Sequence, residues 1–294
     1  MLKIVPGTIP TADFHQYLLG AVAPRPIAFA STLDKNGLPN LAPYSFFNCF
    51  SSNPPILVFS SNRKVADNTT KDTLQNVIET GEVVINVVTY NIVRQAAIAS
   101  IEYPPEVSEF EKAGFTPITS ELIKPFRVKE SPIHMECKVN QIIPLGEQGG
   151  AGHLIICEIL QMHIDEAILD EKGRIDPHKI DLMGRMGRAF YVRASGEAVH
   201  TIFQPYNVLG IGFDQLPQGI RHSKILTGND LGQLAALTAA PTMESVLDLK
   251  NDPYILQLLQ SENPLEELHR CAQKELAKEN VDLAARIVWL SEQL

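Results

Sequence analysis

Residues Pro24 to Ser61, PRPIAFASTLDKNGLPNLAPYSFFNCFSSNPPILVFSS, decide how this chain is read. The run holds two apolar segments of β type, Pro26–Ser31 and Ile56–Ser60. Between them lies a block of small, amide and hydroxyl residues from Asn40 to Asn48. A buried core strand has no reason to carry so many hydrogen-bonding groups beside a proline, since each costs free energy unless paired. A flat heteroaromatic ligand with donors and acceptors along one edge supplies that reason. The block therefore reads as a polar loop wrapped around a ligand, and the hydroxyls and amides downstream point to a phosphate on it.

Working outward, Asp34-Lys35-Asn36-Gly37 carries the Asn-Gly signal of a tight hairpin, with Leu38–Leu41 returning antiparallel. Upstream, Thr11 is placed to cap a short helix through Leu19, and Pro24 and Pro26 force extended backbone. Downstream, Asn68–Thr70 supplies caps for a helix from Lys71 to about Thr80, ended by Gly81, with Leu74, Val77 and Ile78 on its apolar face. Glu82–Val88 is the next strand. Residues 91–129 read as a helical and loop insertion broken by prolines. Ile133–Ile143 and His153–Asp165 then make a long hairpin. From about Gln204 strand patterns give way to helical ones: Asp230–Leu237, Met243–Lys250, Pro253–Gln260, Leu265–Lys278 and Val281–Gln293. Leu265, Leu268, Ala272 and Leu276 form an apolar stripe in the fourth. Phe203, Tyr206, Phe213 and Trp289 are read as packing residues.

With 294 residues, 45% hydrophobic and 20% charged, the chain can bury a full core. Its formal charge of −9 and the lack of a Lys/Arg cluster argue against nucleic acid. The four cysteines form no CxxC pair, and Cys137 and Cys157 fall inside strand-like runs, so buried thiols are expected rather than disulfides or a metal. The histidines show no metal-ligand spacing. No apolar run is long enough to span a bilayer, and no signal peptide is read at the start, so a cytoplasmic location is expected.

A phosphate site needs convergent hydroxyls, backbone N–H groups and a cation near a helix start. Ser60-Ser61-Asn62-Arg63-Lys64 at a strand end and Lys71-Asp72-Thr73 at a helix start supply these together. Asp72 would repel an anion and is better used as a cap or in an ion pair. Gly146–Gly152 lacks the GK[ST] ending of a phosphate loop.

The segments Pro24–Thr32, Asn40–Asn48, Pro54–Ser61 and Lys71–Thr73, in this order and spacing, resemble the flavin reductase-like proteins, which include flavoredoxins. The resemblance covers roughly the first two thirds of the chain, with Gly152-His153 and Gly184–Gly187 plus Tyr191 as weaker landmarks. It implies a mainly β fold, a six-stranded antiparallel Greek-key split β-barrel with inserted helices, over residues 1–203. A helical C-terminal extension over 204–294 departs from the family pattern. Three roles are open to that extension: covering the flavin's open face, extending a dimer interface or docking a partner. The resemblance also implies FMN near the interface of a homodimer. Carried over by position, Asn40, Ala42, Tyr44, Ser45 and Phe46 border the isoalloxazine and ribityl chain, with Asn48 beside them. Arg25, Ser60, Ser61, Lys71 and Thr73 stand nearest the phosphate, and Arg185 is a further candidate.

In such a site the flavin carries the electrons and the protein positions it, so no catalytic side chain is assigned. The expected activity is NAD(P)H-dependent reduction of flavin, with NADH or NADPH as co-substrate and an oxygenase as a possible recipient. The alternative is a flavoredoxin-like FMN electron carrier without that activity. His153 matches a histidine that many family reductases place near the nicotinamide after an Asp, but Gly152 stands in the Asp position here. Haem or a pyridoxal species in the same barrel, or a plain interaction module, are further readings.

Overall fold

The computed structural model describes residues 1–202 and 208–294. The chain divides into two compact units, Met1–His200 and Thr201–Leu294. The expected boundary at residues 203 and 204 lies outside the described residues, as do Phe203 and Tyr206.

The first unit opens with α1 (Thr11–Ala21), β1 (Ala28–Leu33), β2 (Pro39–Tyr44), β3 (Phe47–Ser52) and β4 (Pro55–Asn62). Then come α2 (Asp72–Thr80), β5 (Glu82–Val87), α3 (Val93–Ile98), α4 (Glu109–Ala113) and the short ribbon β6 (Pro117–Ile118) and β7 (Arg127–Val128). The long hairpin β8 (Ile133–Pro144) and β9 (Gly152–Ile164) follows, and a second ribbon, β10 (Leu182–Gly187) and β11 (Phe190–Ala194), completes the unit.

Seven strands form one antiparallel sheet in the order β2-β1-β5-β8-β9-β4-β3, against the six expected. The extra strand comes from the Asn40–Asn48 block. It is not a loop but the end of β2 and the start of β3, joined by Ser45 and Phe46 alone. Because the two end strands of the sheet are neighbours in the chain, the sheet curls back on itself. No ladder runs between β2 and β3, so it stays open along a seam.

Local chemistry explains the elements. Asp34 accepts from the N–H groups of Asn36 and Leu38 (2.8 and 2.7 Å), and Gly37 takes φ +86°, which closes the β1–β2 hairpin as read from Asn-Gly. β1 is buried along its whole length because both faces are covered. Ala28 and Ala30 face an interior core with Phe59, Ile85 and Ile155, while Phe29 faces a second core with Leu41, Phe110 and Phe115 under the 91–129 insertion. Burying Phe29 in this way is worth about 2–3 kcal/mol. Cys137 and Cys157 are buried free thiols of the interior core.

Some expectations need correction. Pro10, not Thr11, occupies the N-cap of α1, and no residue of that helix is buried. Lys71 is the N-cap of α2 and makes no side-chain cap; Gly81, at φ +70°, ends the helix. Leu74 and Val77 pack inward but Ile78 is 57% exposed, since the apolar stripe turns past the sheet.

The second unit contains α5 (Gln218–Arg221), α6 (Gly228–Ala235), α7 (Met243–Asp248), α8 (Pro253–Leu259), α9 (Pro264–Leu276) and α10 (Val281–Ser291). Its helix starts are chemically explicit: a Thr227–Asp230 capping box on α6, Thr242 on α7, and Asp252 with Pro253 on α8. Leu268, Ala272 and Leu276 are buried on α9, but Leu265, in the first turn, is 46% exposed. Trp289 packs partly buried against this core, whereas Phe213 is exposed.

Candidate functional site

β2 lies at one edge of the sheet, and two clefts flank its end, with Pro43, Tyr44 and Ser100 lining both. The smaller, about 90 Å³, is lined by Asn40, Ala42, Tyr44, Lys71 and Thr73, with Lys64, Asp72, Glu102 and Glu109 at its walls. Five of the residues singled out in the sequence thus meet here, although 33 positions separate Asn40 from Thr73. Asn40 Nδ2 donates to Thr73 Oγ1 at 2.8 Å. Lys71 Nζ stands 5.4 Å from the centre of the Tyr44 ring.

Two lysines and three acids, Asp72 among them, line this cleft, and it is Lys71 that favours an anion. Lys71 makes no ion pair among the described residues, and burial pushes its pKa down, offset in part by Glu102. An anion would relieve that desolvation. Of the acids, Glu102 is already paired with Lys64 at 2.9 Å. Burial raises the pKa of Glu109, and its carboxylate accepts the Leu41 N–H at 3.0 Å. The Tyr44 phenol is pushed up to about 12 by burial, an effect partly offset by the nearby Thr73 and Ser61 hydroxyls. Tyr44 Oη and Ser61 Oγ are nevertheless buried with no hydrogen-bond partner of good geometry among the described residues. Buried hydroxyls left so are costly, and a ligand oxygen would satisfy them.

The larger cleft, about 180 Å³, has apolar walls from Ile27, Val88 and α3, with Tyr44, Ser45, Arg185 and Tyr191 at its rim. Arg25 lies beside it: Nε donates to Ser45 Oγ at 3.4 Å, and Nη1 donates to Leu19 O at 2.7 Å and to Val22 O. Its guanidinium also sits 5.7 Å from the Phe46 ring. Arg25 and Arg185 exchange backbone hydrogen bonds of 3.0 and 2.9 Å. These two arginines therefore stand at the larger cleft, while Lys71 and Thr73 line the smaller one. Ser60 is turned to Asn62 Oδ1 at 2.8 Å. Asn48 is exposed on β3, its Oδ1 accepting the Cys49 N–H, and it lines neither cleft.

Several lining residues escaped the sequence reading. Ser100 and Glu109 come from the 91–129 insertion, where nothing local distinguishes them from surface polar groups. Tyr191 was read only as a landmark. His153 is half-buried, with Nδ1 3.2 Å from Ser61 O, which assigns the N–H to Nδ1. A side chain at Gly152 would place its Cβ 2.6 Å from Ser60 Oγ, so an Asp there would require the Ser60 hydroxyl to turn away from Asn62. Among the described residues no group of three or more His, Cys, Asp or Glu could hold a metal ion, and no helix is long and apolar enough to cross a membrane.

Several known proteins are similar to this chain. An uncharacterized protein of Aquifex aeolicus is 43% identical over 184 residues, 62% of this chain and 91% of that protein. Nitrilotriacetate monooxygenase component B from Bacillus cereus is 35% identical with a TM-score of 0.63, covering 69% of this chain and 98% of that one. The 2-nitrobenzoate 2-nitroreductase of Pseudomonas fluorescens is 30% identical with a TM-score of 0.62, over 70% and 98%. The flavoredoxin of Desulfovibrio vulgaris, at 22% identity and a TM-score of 0.53, shares the fold. The flavin reductase like domain itself matches residues 20–179, which hold β1 through β9, both strands of the seam and most of the cleft residues. By this match over more than half its length, the chain belongs to the flavin reductase like family.

Proposed function

We propose that this protein is an FMN-dependent oxidoreductase that reduces flavin with NADH or NADPH. The carrying observation is the smaller cleft, where Asn40, Tyr44, Lys71 and Thr73 meet from β2 and the start of α2, with the orphaned Tyr44 hydroxyl near that of Ser61 on β4. These groups fit a ribityl phosphate, which offers acceptor oxygens to every donor present. Asn40 to Ser45 spans roughly 16 Å of extended chain, room for the rest of the cofactor to lie along Ala42, Tyr44, Ser45 and Phe46. Bound FMN supplies the hydride and electron chemistry. The chain's own part is to bind and orient it: Lys71 and Thr73 hold the phosphate, the β2–β3 turn backs the ring, and the 91–129 insertion excludes water beside it. Of the other expected residues, Ser60, Asn48, Arg25 and Arg185, none lines the smaller cleft, so none is assigned to the phosphate.

Gly152 favours a second reading. Without an acid to orient His153, an FMN electron carrier lacking intrinsic NAD(P)H activity is the alternative. Protein that stays yellow through dialysis, then bleaches rapidly on anaerobic mixing with NADH or NADPH, is the expected result. A yellow protein that does not bleach marks the carrier, and a colourless one that takes up no added FMN overturns both.

The same proposal includes a Greek-key split barrel and a cytoplasmic homodimer, with an oxygenase as one possible recipient of electrons. Support for the dimer lies on β9, where Leu160, Met162 and Ile164 alternate on one face and stay 44, 44 and 37% exposed. A second copy of that face would cover them, and sedimentation at the dimer mass is the expected result.

A further inference from the structure

We propose that the larger cleft is a second anion site, separate from the phosphate site, which takes a small carboxylate carried on a single ring or a short apolar body. Its role in turnover rests on the flavin reading; its existence does not.

Three independent features converge there. Arg185 is the only charged residue among those lining the cleft, so no acid in its wall competes for the guanidinium. Arg185 is also held in place: its ring-facing side lies 4.5 Å from the Tyr191 centroid, and one Nη donates to Arg188 O at 2.9 Å. A stacked guanidinium keeps its remaining N–H groups in a fixed fork that matches a carboxylate.

Arg25 adds the second charge. It is only 5% exposed, and neither arginine has a carboxylate within 4.0 Å among the described residues. Three of Arg25's contacts are neutral oxygens, and its Nη2 is buried with no partner among the described residues. Burial, and then the charge of Arg185, both push the Arg25 pKa down. A buried cation beside a second cation with no counter-ion is unfavourable, and an anion at their junction, next to the Ser45 hydroxyl, removes the repulsion.

Size and lining choose the body of that anion. A volume of about 180 Å³ exceeds by little the roughly 150 Å³ known to accept benzene in a protein core, so one ring fits inside it. Ile27, Val88, Val93 and Ala96 offer it apolar contact. A bare inorganic anion would leave these walls unused.

The test is calorimetric titration of the purified full chain at low ionic strength with benzoate, with neutral benzamide and with inorganic phosphate, each with and without added FMN. Benzoate should bind at least 10-fold more tightly than benzamide, and more tightly than phosphate, because only it uses both charge and wall. Arg185→Met should reduce benzoate binding to the benzamide level, and Arg185→Lys should recover part of it. Equal binding of benzoate and benzamide overturns the proposal, as does phosphate binding more tightly than benzoate. The wild-type comparison decides even if a variant misfolds. Failure to bind FMN alongside normal benzoate binding would overturn the flavin reading and leave this site standing; the reverse pattern would do the opposite.

Discussion

His269 in the helical unit and Tyr44 in the sheet unit are both nearly buried polar side chains, and their surroundings differ. Both ring nitrogens of His269 meet hydroxyls, Ser223 Oγ at 2.8 Å and Ser291 Oγ at 3.0 Å. Asp230 of the same unit accepts from Thr227 and from Gln273. In the sheet unit Tyr44 Oη, Ser61 Oγ, Ser31 Oγ, Arg25 Nη2 and His134 Nδ1 are buried without partners among the described residues. Among the described residues of the helical unit the corresponding atoms are the Nε of Arg221 and Arg286. For units of these sizes the two sets are comparable, so the contrast lies in placement. In the sheet unit three of the open atoms, on Tyr44, Ser61 and Arg25, sit in or beside the cleft region, which is where a binding scaffold differs from a packing one.

The largest expected effect breaks the packing side of this contrast. Leu268 is fully buried in the helical core, and Leu268→Ala should cost about 3–5 kcal/mol of that unit's stability, read by urea unfolding. Next comes the binding side. Lys71→Ala with Thr73→Ala removes a cation and a hydroxyl and should weaken FMN retention about 100-fold with an unchanged circular dichroism spectrum. Unchanged retention would count against the phosphate assignment.

A matched pair sharpens the comparison at about 1 kcal/mol. Thr227→Ala removes a satisfied cap and should destabilise by about that amount. Ser61→Ala removes an orphaned hydroxyl and should leave the FMN-free protein equally or more stable, while weakening FMN. If both variants lose the same stability, the contrast fails.

The smallest effect is on pH. Burial pushes the pKa of His134 below its usual 6.5, although Val128 O, facing Nε2 at 2.8 Å, opposes this. A depressed folded value means stability that is present above about pH 6.5 and lost as pH falls through the folded pKa. His134→Gln should therefore flatten the acid side of the stability profile below pH 6.5. A wild-type profile without that slope would contradict the burial argument.

Much of this was legible from residue order. The Asn36-Gly37 turn, the long β8–β9 hairpin and the capped helices after residue 227 follow from local rules of turn and cap chemistry. The convergence of Asn40, Tyr44, Lys71 and Thr73 was suggested by their ligand chemistry and made specific by the family resemblance, since nothing local brings β2 to the start of α2. Three features were hidden for physical reasons. β3 was hidden because Phe47–Ser52 mixes polar and aromatic residues without clean alternation, and all six of its residues stay half-buried or exposed. The β10–β11 ribbon carries Gly184 and Gly187, which read as loop signals. The division of the arginines from Lys71 depends on a backbone pairing between Arg25 and Arg185, 160 positions apart, that no local pattern encodes.

The outer border of β2 has one more consequence. Leu41 directs its amide to Glu109 rather than to β1, and by the alternation of an antiparallel strand Pro39 and Pro43 share that direction. Two of these three positions own no amide hydrogen, and the third is occupied by a carboxylate. A foreign strand arriving here meets carbonyls but no free amide hydrogen, so it cannot complete a ladder. Along β2 the fold can thus leave its wall unclosed without offering a template for aggregation.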